Sequence, residues 1–425
     1  MSERLDVGFV PAECPGAAGT GAVRTSTLLI ERLSNYHDLT VYVSSQMDAS
    51  SADLPAEDRV EYVIHDKLPK LPHPLTNKIE TLREESHALN QHELVHSYSS
   101  AFIPVLADLD VPTLSTINSY LPVCPKADMM YHGEQKCSGP GRVKCANCIP
   151  ATALKRRQGL DEELRGGYVA LGQIGFVHES LDRSWDIDAY HALSPHLVED
   201  FGKIGFPDER IEVIPHFYDE TFEVENTEGR SKPEAGRAVK LLYVGALQDI
   251  KGVHVLVRGV AEILQRGYDA TLQIAGSGPL EKRLHELARE LDVDDQIEWL
   301  GYVDHDELTT IYDKADAFVY SGLLDEPFGR VLLKHYRHGR RSSPPTWEAP
   351  TTSLDQQDSD LHPETRLLSQ TPSNDLSRTT THTTTPSLTI SNGLRPKPSR
   401  KILRSVSRRC IDDRLRNGCV DSRTP

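Results

Sequence analysis

The residues best suited to chemistry lie where predicted strands run into glycine turns. Val244-Gly245 is followed by Lys251-Gly252, and a later strand ends in Gly276-Ser277-Gly278-Pro279. Backbone N–H groups at a helix start bind anions, and glycine lets the main chain approach a ligand closely. The spacing therefore favours a phosphate site. Lys251 is also compatible with a solvated surface lysine, and a Gly-x-Gly turn before proline occurs without any ligand.

A similar turn follows the first predicted strand, over residues 5–10. Pro15-Gly16-Ala17-Ala18-Gly19-Thr20-Gly21 leads into a predicted helix over 23–33. This strand, glycine turn and helix form one more unit that could bind a ligand at a helix start, with Gly16 and Gly19 as its candidate contacts.

Short apolar runs alternate with amphipathic segments over both halves of the chain. Further strands are predicted at 39–44, 60–64, 94–96, 113–117, 189–193 and 211–214, then at 239–245, 270–275, 296–300 and 317–321. Helices are predicted at 77–90, 101–108, 253–266, 280–291 and 306–314. Such alternation is typical of parallel sheets covered by helices, so we expect an α/β protein with two tandem Rossmann-like, doubly wound domains.

Length and charge set the expected domain limits. A chain of 425 residues is longer than one hydrophobic core usually serves, so we expect more than one domain. The polar stretch 221–238 would separate an N-terminal domain (1–220) from a partial C-terminal domain (239–333). Residues 334–425 hold 16 of the 47 Lys and Arg residues, only 9 of the 63 Asp and Glu residues, and no apolar periodicity. This composition predicts a disordered tail behind an acidic, folded body.

The order of four glycine motifs resembles the C-terminal half of family 4 retaining glycosyltransferases of the GT-B architecture. The motifs are Gly245 with Lys251-Gly252, Gly276-Ser277-Gly278-Pro279, Leu300-Gly301-Tyr302-Val303 and Glu326-Pro327-Phe328-Gly329. The N-terminal glycine turn and Val213-Ile214-Pro215 are similar to that family's first loop and interdomain phrase. The resemblance covers about residues 5–333 and is strongest from 239.

The resemblance implies a hexosyltransferase-type enzyme with a nucleotide-sugar donor on the C-terminal domain and an unknown glycan or lipid-linked acceptor on the N-terminal one. Lys251 would contact the diphosphate, Glu326 the sugar hydroxyls, and the backbone at Phe328 and Gly329 the sugar and phosphate. Where the family commonly has an acceptor-side histidine, this chain has Asn118. His96 is another candidate for the acceptor-side role, but it could instead be a structural histidine. GT-B chemistry requires no cofactor.

The resemblance stops abruptly after Leu333. The second carboxylate of the family's Glu-x7-Glu motif should lie at 334, which is Lys334, and the arginine that usually follows the first glycine is Ala246. If the codons for Lys334-His335-Tyr336 are read one base earlier, they can encode Glu-Ala-Leu, which is how the family's sequences continue. We therefore expect a frameshifted or truncated second domain and impaired activity.

Four cysteines lie in an insert over 124–148 that is predicted to be irregular. Cys124, Cys137, Cys145 and Cys148 could together bind a structural Zn²⁺ as thiolates. They could also be unpaired small residues or have an iron–sulfur or redox role. Disulfides are not expected in a reducing cytoplasm.

Composition also limits partners and location. The chain has no long apolar run and no signal-peptide core near Met1, so we expect a cytoplasmic protein with, at most, peripheral membrane contact. The acidic body argues against nucleic acid. Two alternatives remain: a nicotinamide-dependent Rossmann enzyme, which would need a glycine where Glu281 stands, and a non-catalytic nucleotide- or nucleic-acid-binding protein that uses the basic tail.

Overall fold

The computed structural model describes residues 4–17, 21–44, 52–65, 74–155, 160–216, 237–323 and 327. Four predicted site residues, Gly19, Glu326, Phe328 and Gly329, lie outside this part of the chain, as do most of the predicted linker and the whole of 334–425.

Seven parallel strands form the first sheet, in the spatial order β3-β2-β1-β4-β5-β8-β9. They are β1 (Asp6–Val10), β2 (Asp38–Val43), β3 (Val60–Ile64), β4 (Leu94–Ser97), β5 (Thr113–Ile117), β8 (Ala189–Ala192) and β9 (Ile211–Val213). The central strands β4 and β5 are buried along their whole length, because helices cover both faces of a parallel sheet. The order, with its reversal beside β1, is that of a doubly wound domain.

Helices join these strands and pack on the sheet. They are α1 (Gly21–Leu33), α2 (Pro74–Glu84), α3 (Ser86–Leu89), α4 (Ile103–Leu106), α5 (Arg142–Lys155), α6 (Leu160–Arg183) and α7 (Pro195–Ile204). The helix predicted over 77–90 is thus two helices that break near Glu85, and the one predicted over 101–108 is a short 3-10 turn followed by α4.

The insert is more regular than the sequence indicated. A two-stranded antiparallel hairpin, β6 (Met130–Tyr131) and β7 (Gln135–Lys136), precedes α5, so Cys145 and Cys148 lie one turn apart on a helix. Helices α5 and α6 pack against each other as a hairpin. Helix α5 begins inside the insert that was predicted to be irregular, and it continues past Pro150, whose ring is exposed.

Four parallel strands form the second sheet, in the order β12-β11-β10-β13. They are β10 (Val239–Val244), β11 (Ala270–Ala275), β12 (Ile297–Gly301) and β13 (Ala317–Phe318), with α8 (Val253–Gln265), α9 (Glu281–Glu290) and α10 (His305–Lys314) between them. Apolar residues of α8 and α9 pack against β10 and β11 in one core, as their helical spacing predicts. The predicted α/β fold with two parallel sheets is confirmed.

Among the helices within the described ranges, none combines the length and the apolar character needed to cross a membrane.

Candidate functional site

The loops at the carboxyl ends of the second-sheet strands are hydrogen-bonded to one another. The N–H of Gly245, after β10, donates to the Ala275 carbonyl at 3.0 Å, and the N–H of Leu247 donates to the Ser277 carbonyl at 3.0 Å. The N–H of Gly276 in turn donates to the Gly301 carbonyl at 2.7 Å. Three successive strand ends therefore form one connected edge, the location where open α/β sheets bind ligands.

The glycines of this edge are required by loop packing. Gly276 has φ +154°, and a Cβ atom there would lie 1.9 Å from the Gly245 carbonyl oxygen. A Cβ on Gly278 would lie 2.6 Å from the carbonyl oxygen of Leu247. The missing side chains thus make room for the neighbouring loop. Exposed Ser277, between them, is the part of this turn that faces solvent.

Lys251 lies beside the fourth strand end. It closes a 3-10 turn, Asp249–Lys251, directly before α8, and its side chain is half-buried. The Ser321 hydroxyl donates to the Lys251 carbonyl at 2.8 Å, and the N–H of Leu323 donates to the Ile250 carbonyl at 2.9 Å. The turn that carries Lys251 is thereby fixed against residues 321–323, which follow β13.

Gly16 has a packing role at the first-sheet edge. Its N–H donates to Thr27 Oγ1 of α1 at 3.0 Å, and a Cβ on Gly16 would lie 1.9 Å from the Asp53 carbonyl oxygen. The first glycine turn is therefore closed onto α1 and the loop after β2.

Asn118 follows β5 at the same edge. Its Nδ2 donates to the Tyr98 carbonyl at 2.9 Å, and its Oδ1 is buried without a hydrogen-bond partner among the described residues. Buried acceptors are normally satisfied, so an unpartnered amide oxygen at a strand end is a candidate contact for a donor group on a ligand.

His96 lies inside the sheet. It is 5% exposed, and its Nε2 lies 2.9 Å from Thr116 Oγ1, which lies 3.2 Å from His191 Nδ1. His191 Nε2 lies 2.6 Å from the Ile214 carbonyl, which only accepts, so this nitrogen is the donor. In neutral His191, Nδ1 must then accept a hydrogen bond from the Thr116 hydroxyl. The Thr116 oxygen in turn accepts a hydrogen bond from the N–H at Nε2 of His96.

The electrostatics agree with two neutral imidazoles. Burial lowers the pKa of His96 to about 3, with the neighbouring His191 as a smaller cause. Burial also lowers the pKa of His191, opposed by its hydrogen bond to Ile214. Because His96 is buried and its Nε2 is occupied, the geometry favours the structural role for it over the catalytic one.

One hydrogen bond connects the two halves of the site. Ser194, directly before α7, donates from its hydroxyl to the Pro327 carbonyl at 2.8 Å. The sequence analysis did not identify Ser194 as a site residue. Ser194-Pro195 is a recognisable helix start, but nothing in its pattern specifies a partner 133 residues away.

The structure does not support the predicted zinc site. Among the described residues, which include all four insert cysteines, no group of three or more His, Cys, Asp or Glu side chains could hold a metal ion. The thiols have separate neighbours instead: Cys124 Sγ lies 3.7 Å from Asp128 Oδ1, Cys137 Sγ 3.4 Å from the Gly139 carbonyl, and Cys148 Sγ accepts from the N–H of His132 at 3.2 Å.

Burial raises the pKa of Cys124 to about 11, with the charge of Asp128 as a smaller cause, so this thiol is protonated at neutral pH.

Comparison with known proteins identifies one matching family. Residues 225–334 match the family model for glycosyl transferases group 1. An uncharacterized glycosyltransferase of Methanocaldococcus jannaschii is 39% identical over 94 residues, which are 22% of this chain and 24% of that protein. Glycogen synthase of Mycobacterium tuberculosis is 37% identical over 103 residues, 24% of each chain. The matched part thus spans about a quarter of the length of these relatives.

Solved structures extend the similarity to the fold. Sucrose-phosphate synthase of Thermosynechococcus elongatus has a TM-score of 0.54 at 16% identity, covering 78% of this chain and 79% of that one. Anabaena HepE in complex with UDP and glucose has a TM-score of 0.51 at 14% identity, covering 79% of both chains. At this identity the likeness concerns the fold alone.

Proposed function

We propose that this chain binds a nucleotide-diphosphate sugar and is built to transfer its sugar, with retention, to a glycan or lipid-linked acceptor. Two observations support this proposal: residues 225–334 match the family model for glycosyl transferases group 1, and the two parallel sheets are similar in fold to solved GT-B structures. The observation that carries the proposal is the connected edge of the second sheet. There the loops after β10, β11 and β12 are hydrogen-bonded together, and the turn of Lys251 is fixed to the segment after β13.

The donor diphosphate would lie at the start of α8. Backbone N–H groups at a helix N-terminus favour an anion, and Lys251 adds a full positive charge within the same turn. A cation and the backbone N–H groups of the same helix start can bind one anion together, so the position of Lys251 supports a phosphate ligand. Anabaena HepE, which is similar to this chain in fold, has been solved in complex with UDP and glucose.

Transfer would depend on fixed charges and dipoles. As the bond between the sugar and the diphosphate breaks, negative charge grows on the phosphate oxygens, and Lys251 with the α8 amides would stabilise it. Glu326 would accept hydrogen bonds from sugar hydroxyls, and the backbone at Phe328 and Gly329 would contact the sugar and phosphate, as in the resembled family. No cofactor is required for these steps.

Asn118 is the acceptor-side residue that the geometry supports. Its buried Oδ1 lies at the end of β5 without a partner among the described residues, and a carboxamide oxygen accepts hydrogen bonds from a hydroxyl. It would position an acceptor rather than remove its proton, because an amide does not titrate.

Turnover by this chain would be weak or absent. The family match ends at residue 334, where Lys334 occupies the position of the motif's second carboxylate. Sequencing the gene tests the proposed frameshift: a second open frame that encodes Glu-Ala-Leu and further alternating strands and helices is expected after the codon for Leu333. A gene with no such frame would remove this explanation.

The helical hairpin of α5 and α6 fits a peripheral contact with an anionic membrane that holds a lipid-linked acceptor. Its exposed apolar side chains include Val143, Tyr168 and Leu171, 85%, 60% and 42% exposed. Residues 142–157, which include α5, contain five Lys and Arg and no Asp or Glu, whereas residues 160–183, the whole of α6, contain two Lys and Arg and five Asp and Glu. Apolar side chains beside basic ones are what anionic lipid surfaces bind.

Vesicle flotation tests that contact. Val143→Ser and Tyr168→Ser should reduce binding to phosphatidylglycerol vesicles, whereas Tyr268→Ser, an equally exposed aromatic near the second sheet, should not. Equal binding by all three variants would remove the membrane proposal.

Calorimetry with UDP and GDP tests the donor site. We expect one of the two to bind the wild type, and Lys251→Ala to weaken binding about ten-fold or more, since hydrogen bonds to charged groups contribute about 1.5–3 kcal/mol. Lys282→Ala, an exposed lysine on α9, is the matched control.

Hydrolysis of the corresponding nucleotide sugar, followed by NMR of the released anomer, then reports on transfer and its stereochemistry. Binding of the free nucleotide with no binding of the corresponding nucleotide sugar would support the non-catalytic alternative. If neither UDP nor GDP binds, the proposal is wrong.

A further inference from the structure

We propose that His254 is the second cation of the donor site, so that a nucleotide sugar binds more tightly when the His254 imidazole carries a proton. The inference rests on the proposed function, and it names a residue to which neither the glycine pattern nor the family motifs give a role. Its basis is the charge balance of one short segment, residues 246–254, which lies entirely within the described ranges.

The segment 246–254 contains three side chains that can carry charge: Asp249, Lys251 and His254. Asp249 and Lys251 lie at the two ends of one 3-10 turn, and α8 begins two residues after Lys251. Because the carboxylate and the ammonium cancel, the segment is neutral when His254 is neutral and positive when His254 is protonated. A nucleotide sugar is negative on both phosphates, so its attraction to this segment depends on the proton of His254.

The imidazole of His254 faces this turn. Its Nδ1 lies 3.9 Å from Asp249 Oδ1, and the two side chains are 35% and 34% exposed. This gap is too long for a hydrogen bond, but opposite charges still attract each other at such a distance. The N-cap of α8 is Gly252, which has no side chain to accept from the first N–H groups of the helix. An anion bound at these N–H groups would lie beside His254, the second residue of α8, and beside the turn of Lys251.

Other charged groups of the described chain have partners of their own. Residues 321–323, which pack against the turn, contain no titratable side chain. Charged side chains further along α8 and on the neighbouring helix α9 interact with one another: Arg258, Arg283, Glu286 and Glu290. Asp249 and Lys251 are therefore the described charges that act most directly on His254.

Without a ligand, two effects on a proton at His254 oppose each other. The carboxylate of Asp249 favours the proton, whereas Lys251 and the positive end of the α8 dipole disfavour it. A diphosphate bound beside them adds negative charge and so favours the proton. Binding of the nucleotide sugar and binding of the proton are therefore coupled, and by linkage each strengthens the other by the same factor.

Coulomb's law gives the size of this coupling. Two unit charges about 4 Å apart interact by about 1 kcal/mol in bulk water, which corresponds to about five-fold in a dissociation constant. The value for water is appropriate because a third of the His254 side chain is exposed. Histidine titrates between pH 5 and pH 8. We therefore expect an affinity about five-fold higher at pH 5.5 than at pH 8.

The experiment measures dissociation constants of UDP-glucose and GDP-mannose for the full chain between pH 5.5 and pH 8. Both phosphates of these probes are esterified, so, unlike free UDP and GDP, the probes do not gain a proton in this range. The variants are Asp249→Asn and His254→Gln, of which the second keeps a polar side chain that cannot titrate. His285→Gln is the matched control, because half-buried His285 lies on α9 of the same domain and its ring packs on Trp299, with centroids 4.1 Å apart.

Support requires three results. Wild type and the His285→Gln control should bind about five-fold more tightly at pH 5.5 than at pH 8, and His254→Gln should lose most of this difference. Asp249→Asn should bind more tightly than wild type at pH 8, because the opposing carboxylate is gone; this result does not depend on stability in acid. In NMR titrations, the midpoint of the His254 imidazole should rise by about 0.7 at saturating nucleotide sugar, which is the same five-fold factor.

The outcomes separate this inference from the function on which it rests. If wild type binds a nucleotide sugar with the same affinity at every pH, or if His254→Gln keeps the full pH dependence, the role of His254 is wrong and the proposed function stands. A merely structural histidine would change the affinity equally at every pH, or not at all. If wild type binds neither nucleotide sugar at any pH, both proposals are overturned.

Discussion

Replacing His96 by glutamine should reduce the sensitivity of this protein to mild acid. In the folded chain His96 is neutral, donates from Nε2 to Thr116 Oγ1, and has its Nδ1 buried without a hydrogen-bond partner among the described residues. Protonation of Nδ1 would place an unpaired positive charge in the interior. Glutamine retains an N–H donor at the position of Nε2 but cannot titrate, so the substitution isolates the effect of the proton.

The magnitude follows from the two pKa values. Burial lowers the pKa of His96 to about 3, whereas an unfolded histidine titrates near pH 6.5. Between these values the unfolded chain binds more protons, so stability is present above pH 6.5 and is lost as the pH falls towards 3. From pH 7 to pH 5 the loss from His96 alone is about 2 kcal/mol. The lowered pKa of His191 gives a loss of the same sign.

Urea unfolding at pH 7 and pH 5 measures this loss. Wild type should lose about 2 kcal/mol more than His96→Gln over this interval, because all carboxylates titrate equally in both proteins. His87→Gln, at an exposed position on α3, should follow the wild type. If wild type and His96→Gln lose stability in parallel, His96 does not titrate as a buried, neutral imidazole, and the donor order derived for Thr116 is wrong.

Three further measurements address packing and metal binding. Gly276→Ala should destabilise the second sheet by more than about 2 kcal/mol in urea unfolding, because a Cβ would lie 1.9 Å from the Gly245 carbonyl oxygen. Gly175→Ala on α6 should be neutral or slightly stabilising. Similar effects of the two substitutions on stability would contradict the packing role of Gly276. Tyr120→Phe should cost about 1.5–3 kcal/mol in the same assay through loss of the hydrogen bond to buried Asp200, and an unchanged midpoint would show that Lys136 alone suffices. Excess EDTA should leave the thermal midpoint unchanged, because the insert thiols have separate partners; a marked drop, with zinc in the purified protein, would restore the metal site.

The fold was largely predictable because its signals are local. Apolar alternation located the strands of both sheets within a few residues, and the spacing in α8 and α9 placed their core faces correctly. The insert was less predictable. The glycines and prolines of 124–148 suggested irregular chain, yet its last residues lie on α5, which packs against α6. Tertiary packing of this kind overrides local propensity.

Site residues were predictable in type but less so in role. The motifs located the strand-end glycines, but only coordinates reveal that Gly276 contacts Gly245 and that Gly16 contacts Asp53. His96 at a strand end looked like an acceptor-side group because a sequence does not specify which face of a sheet is covered. Ser194 was missed for a related reason, since its partner, Pro327, is 133 residues away in the sequence and their contact depends on tertiary geometry.

These contacts separate the shape of the donor edge from its chemistry. Backbone hydrogen bonds and missing Cβ atoms hold the loops after β10, β11 and β12 together, and these main-chain contacts use no side-chain charge. A chain that retains the glycines therefore retains the shape of the edge, even where Lys334 replaces the second carboxylate of the motif. Nucleotide affinity should then survive changes that abolish transfer, because binding needs the helix start and one lysine, whereas transfer also needs the sugar to be held.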